Sequence, residues 1–278
     1  MLHKITFLID EQQFKKNKII DFFENIVFEK KNKNWKIRII SNDHQRDLNF
    51  LDFLFNSKKK IKVELLKKKN WVLSIAQKDK PVITNFFTIS QNKLSSRFTK
   101  KFLQIPASTA FGTGKHFSTL LTIINIECLS KKKKFFRFLD LGSGTGILAF
   151  VLAEIYKKKI IATDIEIESE KCINYNKKLN EINKVFFIKC HNFNSRYFKG
   201  KKFDLIVSNI LLLPLKKNSS KFYQHLSYGG VVIISGILKS QINDIKSHFG
   251  KFNLKLVKSI YINKWASIIF KKYEKAIQ

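Results

Sequence analysis

The residues of this chain whose types and spacing can do chemistry are two aspartates, a run of alternating glycines, an asparagine, a threonine and a histidine. Asp140 precedes Gly142-Ser143-Gly144-Thr145-Gly146, Asp164 closes an apolar run about 20 residues further on, and Asn209 closes another. His116 and Thr119 follow a second glycine pair, Gly112 and Gly114. Alternating glycines let the backbone turn sharply and let a ligand lie against it, and a helix starting there offers unpaired N–H groups. A carboxylate closing the next strand can accept both hydroxyls of a ribose. Together these residues form a cradle for a nucleotide-like cofactor, and the Asn209 amide can hold an amine or amide nearby. A bland reading stands beside each: Asn209 as a turn residue, His116 as a residue that merely orients its glycine loop.

The elements that must position them follow from periodicity. Phe138–Leu141 is a short buried strand, Ile147–Tyr156 an apolar helix, and Lys159–Thr163 the strand that ends at Asp164. Glu170–Asn183 is predicted as a helix, Val185–Lys189 as the third strand and Phe203–Asn209 as the fourth. Leu215–Leu226 is predicted as a helix, Tyr228-Gly229-Gly230 as a turn, Val231–Ser235 as the fifth strand and Ser240–Phe249 as another helix. Lys255–Ile260 and Trp265–Phe270 close the chain as an antiparallel pair. Ligands in such open parallel sheets sit outside the carboxyl ends of the strands, which puts Gly142, Asp164 and Asn209 at one rim. The glycine spacing is G-x-G-x-G rather than the dinucleotide G-x-G-x-x-G, and with Asp140 before it this suits S-adenosylmethionine better than a nicotinamide or flavin. The fold class expected is α/β: a class I, Rossmann-like methyltransferase domain with a mostly parallel seven-stranded sheet.

Upstream, strands are expected at Lys4–Ile9, Trp35–Ile40 and Lys62–Leu66, with helices at Glu11–Lys30 and Asp47–Phe55. So short an alternation suggests a small α+β, ferredoxin-like module, a kind of unit that typically binds a partner. Residues 1–66 are therefore expected to form a substrate-recognition domain, 67–80 a linker containing Trp71–Gln77, and 81–278 the methyltransferase domain. Strands at Val82–Ser90 and Lys101–Ile105 and a helix at Leu120–Leu129 lead into the cofactor turn.

Composition bounds the remaining possibilities. The chain has 278 residues, 44% of them hydrophobic, enough for a packed core. No segment offers 18 uncharged apolar residues, and the start is too short an apolar run for a signal peptide, so a cytoplasmic protein, expected to be a monomer, is predicted. The spacings of Cys128, Cys172 and Cys190 match neither a disulfide framework nor a zinc pair, the histidines show no i, i+4 pairing, and no metal is implied. Lys and Arg total 53 against 21 Asp and Glu, a formal charge of +32. Such a charge points to nucleic acid. Yet Lys, Asn, Ile and Phe are inflated together, as an AT-rich coding sequence would produce, and runs such as Lys131–Lys134 fall at element ends where solvated charge is usual. A weak, nonspecific RNA contact is compatible with either account.

Taken together, Ala110–Thr119 (AFGTGKHFST), Leu139–Ala149 (LDLGSGTGILA), Asp164–Glu166 with Asn174–Asn180 (NYNKKLN), Val207–Leu215 (VSNILLLPL), Gly229–Leu238 (GGVVIISGIL) and Trp265 resemble the PrmA family, methyltransferases of ribosomal large-subunit protein L-eleven. The resemblance implies S-adenosylmethionine as cofactor, bound by Thr119, Gly142, Gly144, Gly146, Asp164, Glu166 and Asn209. It implies lysine side chains, and possibly the N-terminal amine, of the ribosomal protein as acceptors. Asn209 would orient the nucleophilic nitrogen, and His116 would accept its proton. Glu166 stands where the family commonly has a second Asp, Ser118 where it has a threonine, and Ser208 where it has an alanine; each change is conservative in hydrogen bonding. Two rivals are weighed. A nucleic-acid methyltransferase would want an aromatic ring after Asn209 to stack a flipped base, and this chain has Ile210-Leu211-Leu212. A non-enzymatic ribosome-binding protein would not need intact Gly142, Asp164 and Asn209.

Overall fold

Strict alternation along the first strand decides how the chain begins to fold. In β1 (His3–Asp10) Ile5, Phe7 and Ile9 are buried while Leu8 and Asp10 are exposed, the period-2 pattern of a strand with one face on a core. The computed structural model describes residues 3–16, 26–32, 34–41, 44–55, 61–65, 81–94, 99–108, 112 and 114–273. The chain divides into two units, 1–78 and 79–278.

In the first unit β1 is followed by α1 (Glu11–Lys16), β2 (Ile26–Lys31), β3 (Asn34–Ser41), α2 (His44–Phe55) and β4 (Lys62–Leu65). The sheet order is β2-β3-β1-β4 with every pairing antiparallel, the ferredoxin-like arrangement expected. Ile5, Phe7, Ile9, Ile37, Ile39 and Leu51 form its core, with Phe14 stacked on Trp35 at 4.2 Å. One expectation fails here: Ile26–Lys31 is a strand and not the end of a helix over Glu11–Lys30. Its β-branched and aromatic start pairs with β3, Ile26 opposite Ile39, through a turn in which Asn32 takes φ 54°. That cross-strand pairing outweighs the helical spacing of the apolar residues. The linker expected over 67–80 lies outside the described residues.

The second unit opens with a small sheet, β5 (Val82–Ile83), β6 (Phe87–Ser90) and β7 (Lys101–Gln104). The single strand expected over Val82–Ser90 is thus two, turned at Thr84–Phe86. The turn is pinned by Glu127, a fully buried carboxylate on α3 (Phe117–Ser130), which accepts from the Thr84 hydroxyl, the Phe86 N–H at 3.0 Å and the Asn85 N–H at 3.2 Å.

The large sheet then follows: β8 (Phe138–Leu141), α4 (Ile147–Tyr156), β9 (Ile160–Asp164), α5 (Ile167–Leu179), β10 (Val185–Lys189), β11 (Phe203–Asn209), α6 (Leu212–Lys217), α7 (Ser219–His225), β12 (Leu226–Leu238), α8 (Ile242–Gly250), β13 (Leu254–Ile262) and β14 (Trp265–Lys272). Strand order is β10-β9-β8-β11-β12-β14-β13, parallel from β10 to β12, with β14 antiparallel to both neighbours. This is the class I methyltransferase sheet that the sequence predicted. Successive residues enter opposite layers: Phe138, Leu205, Val207 and Ile233 pack on the side of α3, α4 and α5, while Leu139, Ile206 and Ile234 pack on the side of α6 to α8.

Three boundaries differ from expectation. The helix expected over Leu215–Leu226 is two, broken at Asn218, whose side chain donates to the Pro214 carbonyl at 2.8 Å. Tyr228-Gly229-Gly230 lies inside β12 as a bulge, the register to β11 jumping from Phe203–Leu226 to Leu205–Val231. Helix α5 begins at Ile167, three residues earlier than periodicity suggests, because Glu166 takes the cap position directly after β9. Among the described residues no helix is long and apolar enough to cross a membrane.

Replacing Glu127 by alanine leaves three donors under the turn without their acceptor. The expected loss is about 2–4 kcal/mol of stability, read from urea denaturation. A loss under 1 kcal/mol, by the same measure, would show that the turn is held by its own backbone.

Candidate active site

The glycine turn joins β8 to α4 with no side chain at the cap. Gly146 occupies that position at φ 84° and has nothing to offer the first N–H groups of the helix. The missing acceptor comes from β8: Asp140, fully buried, accepts the Ala149 N–H on Oδ2 at 3.0 Å. Its other oxygen is buried with no hydrogen-bond partner among the described residues. Burial drives the carboxyl upward, the Ala149 N–H pulls it down and the charge of Asp164 pushes it up again, leaving it at about 8. Asp140 therefore carries a proton at neutral pH.

Around that turn the predicted residues are drawn together by direct contacts. Gly142 and Ser143 donate their N–H groups to the Thr163 carbonyl at 2.9 Å each, which fixes the turn to the end of β9. There Asp164 accepts the Gly144 N–H at 2.8 Å on one oxygen and the Glu166 N–H at 3.1 Å on the other. Glu166 itself is exposed and caps α5 without a side-chain bond. The loop of Gly112 and Gly114 packs on the same turn. Thr145 donates its hydroxyl to the Gly112 carbonyl, and Gly114 leaves no room for a Cβ between Ile147 and Ile89.

On the other flank of β8 stands Asn209. Its Nδ2 donates to the Thr119 hydroxyl at 3.1 Å, while its Oδ1 is buried with no partner among the described residues. Ile210, the next residue, presses on the glycine turn: a Cβ on Gly142 would lie 2.4 Å from Ile210 Cγ2. Gly236, at φ 82° near the end of β12, closes the other side, since its Cβ would fall 2.4 Å from the Ile210 carbonyl oxygen. Thr119 is in turn set by the start of α3, where His116 is the N-cap. His116 Nδ1 lies 2.7 Å from the Ser118 hydroxyl and accepts the Ser118 N–H at 3.3 Å, and its ring meets the edge of Trp265 at 4.4 Å. Burial first, and then the charge of Lys264, lowers its pKa below the ordinary value, so the imidazole is neutral at pH 7. Ser235 bonds the Ser118 carbonyl at 3.0 Å and completes the tie between α3 and β12.

All the predicted residues thus share one rim, with Gly142, Gly144, Gly146, Asp164 and Glu166 on one side and Asn209, Thr119 and His116 on the other. The structure adds residues that periodicity did not single out. Asn176 on α5 donates to the Thr145 carbonyl at 3.0 Å, and Asn180 clamps Gln104 through bonds of 2.7 and 2.8 Å. A signal was present for Asn176: asparagine is a poor helix former, and one buried within α5 implies a side chain with a partner elsewhere, whereas Asn180 stands at the C-cap just past the helix. Ile210 and Gly236 were quoted only as parts of longer motifs, because steric closure between distant strands has no sequence period.

The protonation of Asp140 has a measurable sign. The native carboxyl keeps its proton to about pH 8, where an unfolded one releases it near 3.8, so the native state binds more protons across that window and stability falls as pH rises through it. Melting temperature should decline between about pH 5 and 8 more steeply in the wild type than in Asp140→Asn, whose amide does not titrate. Parallel declines would assign the effect to another group.

A family model described as Ribosomal protein L11 methyltransferase (PrmA) matches residues 5–273. A Ribosomal protein L11 methyltransferase of Rhodopseudomonas palustris (strain BisB5) is 31% identical over 216 residues, 76% of this chain and 72% of the relative. One from Agrobacterium fabrum is 32% identical over 216 residues, 76% of this chain and 74% of the relative. The crystal structure of a ribosomal protein L11 methylase from Lactobacillus delbrueckii subsp. bulgaricus aligns with TM-score 0.62 and 26% identity, covering 69% of this chain and 97% of that one. The matched span includes both units and every element that builds the rim, and the chain belongs to the ribosomal protein L11 methyltransferase (PrmA) family.

Proposed function

We propose that the chain transfers methyl groups from S-adenosylmethionine to amino groups of ribosomal protein L11, on lysine side chains and at the N-terminal amine, in the cytoplasm. The observation that carries this reading is the Asn209 oxygen, buried beside the glycine turn with no partner among the described residues. An unsatisfied buried acceptor is costly, and an N–H donor at the rim would satisfy it. The other residues fit the cofactor. Asp164 closes β9 with a carboxylate suited to ribose hydroxyls, Glu166 lies two residues on, and Gly142, Gly144 and Gly146 leave alternate positions of the turn without side chains. Thr119 holds the Asn209 amide in place. When bound, the cofactor supplies an electrophilic methyl group on a positively charged sulfur.

For the protein the task is placement. An in-line displacement needs the acceptor nitrogen near 3–3.5 Å and aligned, and Asn209, fixed by Thr119 and wedged by Ile210, can orient it. The amine must also be neutral, whereas a free lysine has a pKa of about 10.4, so an enclosed rim assists by disfavouring the ammonium. In this proposal the His116 Nδ1 lone pair caps α3 and so positions Thr119. Because Nε2 then carries the hydrogen of the neutral ring, that same Nδ1 takes the proton that the amine gives up and releases the cap as it does so. Residues 1–66 supply recognition of the ribosomal protein, 67–80 link, and 81–278 carry the chemistry.

Asn209→Ala should lower turnover on the order of a hundredfold while donor affinity moves by less than about tenfold, the pattern of an interaction made mainly in the transition state. Asp164→Ala should do the reverse, weakening donor binding by about 1.5–3 kcal/mol. Calorimetry with the donor, beside turnover on saturating protein L11, separates the two; matching effects from both variants would overturn the division of labour.

His116→Asn keeps a good capping residue and removes the base. Turnover should fall with donor affinity intact, and the acidic limb of the pH–rate profile should flatten. An unchanged profile would leave His116 as a cap alone.

A further inference from the structure

At the opposite end of the sheet, away from the cofactor turn, lies a groove of about 620 Å³ between the connection from α3 to β8, the end of α4 and the small sheet. Six of its lining residues are lysines and one is a glutamate. Glu154 is consumed locally: against burial, which pushes its carboxyl up, bonds to Lys157 at 2.7 Å and Lys101 at 3.3 Å hold it below the ordinary range. Lys133 donates to the Gly229 carbonyl at 2.8 Å. Lys131, Lys134 and Lys158 are exposed, and among the described residues no carboxylate pairs with them. Three cations on one short stretch of surface repel one another and favour an anion between them.

An aromatic ring stands in the same groove. Phe136 is 61% exposed, an unusual place for a phenyl ring, and the Lys158 ammonium lies 5.6 Å from its centroid. Just beyond, Lys159 lies 4.3 Å from the ring of Phe186, itself 44% exposed. Exposed rings with ammonium groups beside them are the two components of a single-strand nucleic-acid site, where bases stack on rings and phosphates meet lysines. A duplex hides its base faces and an acidic peptide has none, so neither would use the rings.

We propose that this groove binds single-stranded RNA, with Lys131, Lys134 and Lys158 on phosphates and Phe136 under a base. The site is separate from the methyl-transfer rim and gives an enzyme whose substrate is a ribosomal protein a foothold on the nucleic acid that accompanies it. It also gives part of the charge of +32 a location, at three particular lysines.

The test is fluorescence anisotropy of the full chain with a labelled 20-nucleotide oligouridine across a salt series. The triple variant Lys131→Gln, Lys134→Gln, Lys158→Gln should bind at least about tenfold more weakly near 0.1 M salt, with a log–log salt slope shallower by about 2, three phosphates at roughly 0.7 each. A control triple at exposed lysines elsewhere, Lys217→Gln, Lys246→Gln, Lys251→Gln, should bind nearly as the wild type does. Equal losses in both triples would assign the attraction to diffuse charge and overturn the proposal. Phe136→Ala should weaken binding about tenfold with the slope unchanged. No effect of Phe136→Ala, or competition by duplex RNA or polyglutamate as strong as by the single strand, would likewise overturn it.

Discussion

A helix that begins on glycine has to find its first hydrogen-bond acceptor elsewhere, and in this fold the acceptor is a carboxyl from the preceding strand. Asp140 bonds Ala149 across the turn, so β8, the turn and α4 are held as one piece. The bond explains why the cap can lack a side chain: glycine there opens the surface that a ligand needs, and the cost of an uncapped helix is offset from behind. It also explains why a carboxyl is tolerated in the centre of a parallel sheet, on a strand that is buried throughout. A protonated acid accepting one N–H costs far less there than a carboxylate would.

From this joint outward the rim is assembled by contacts between segments distant in sequence. Thr163 and Asp164 receive the turn from one side, Ile210 braces it from the other, and the Gly112 loop is tied down on top through Thr145. The Thr119–Asn209 bond then joins the start of α3 to the end of β11. The first of these contacts fix backbone positions and the last fixes the Asn209 amide, which is the kind of order that a displacement reaction requires of its scaffold.

Much of this was legible in the residues. Strands with continuous apolar runs, such as those over Phe138–Leu141 and Val231–Ser235, announce a parallel sheet, and the residue at each strand end announces the rim. What was illegible has a common physical origin. The strand at Ile26–Lys31 was hidden by an apolar spacing that fits a helix equally well until Ile39 supplies a partner. The two-strand turn over Thr84–Phe86 depends on a glutamate some forty residues away. The break at Asn218 depends on a side chain competing for a backbone carbonyl. In the first two cases the decisive interaction is made by a residue outside the window in which periodicity is read, and in the third by a local hydrogen bond that hydrophobic periodicity does not register.

Ile210 stands against both Gly142, in the turn after β8, and Gly236, on β12, and neither has space for a single additional carbon toward it. The two collisions differ in kind. A Cβ on Gly142 would meet the Ile210 side chain, so a smaller residue at 210 would make room for it, although φ 77° still favours glycine there. A Cβ on Gly236 would meet the Ile210 carbonyl oxygen, which no exchange of side chains removes. One glycine is thus negotiable with its neighbour, while the other is held by the main chain itself, independently of the chemistry performed above it.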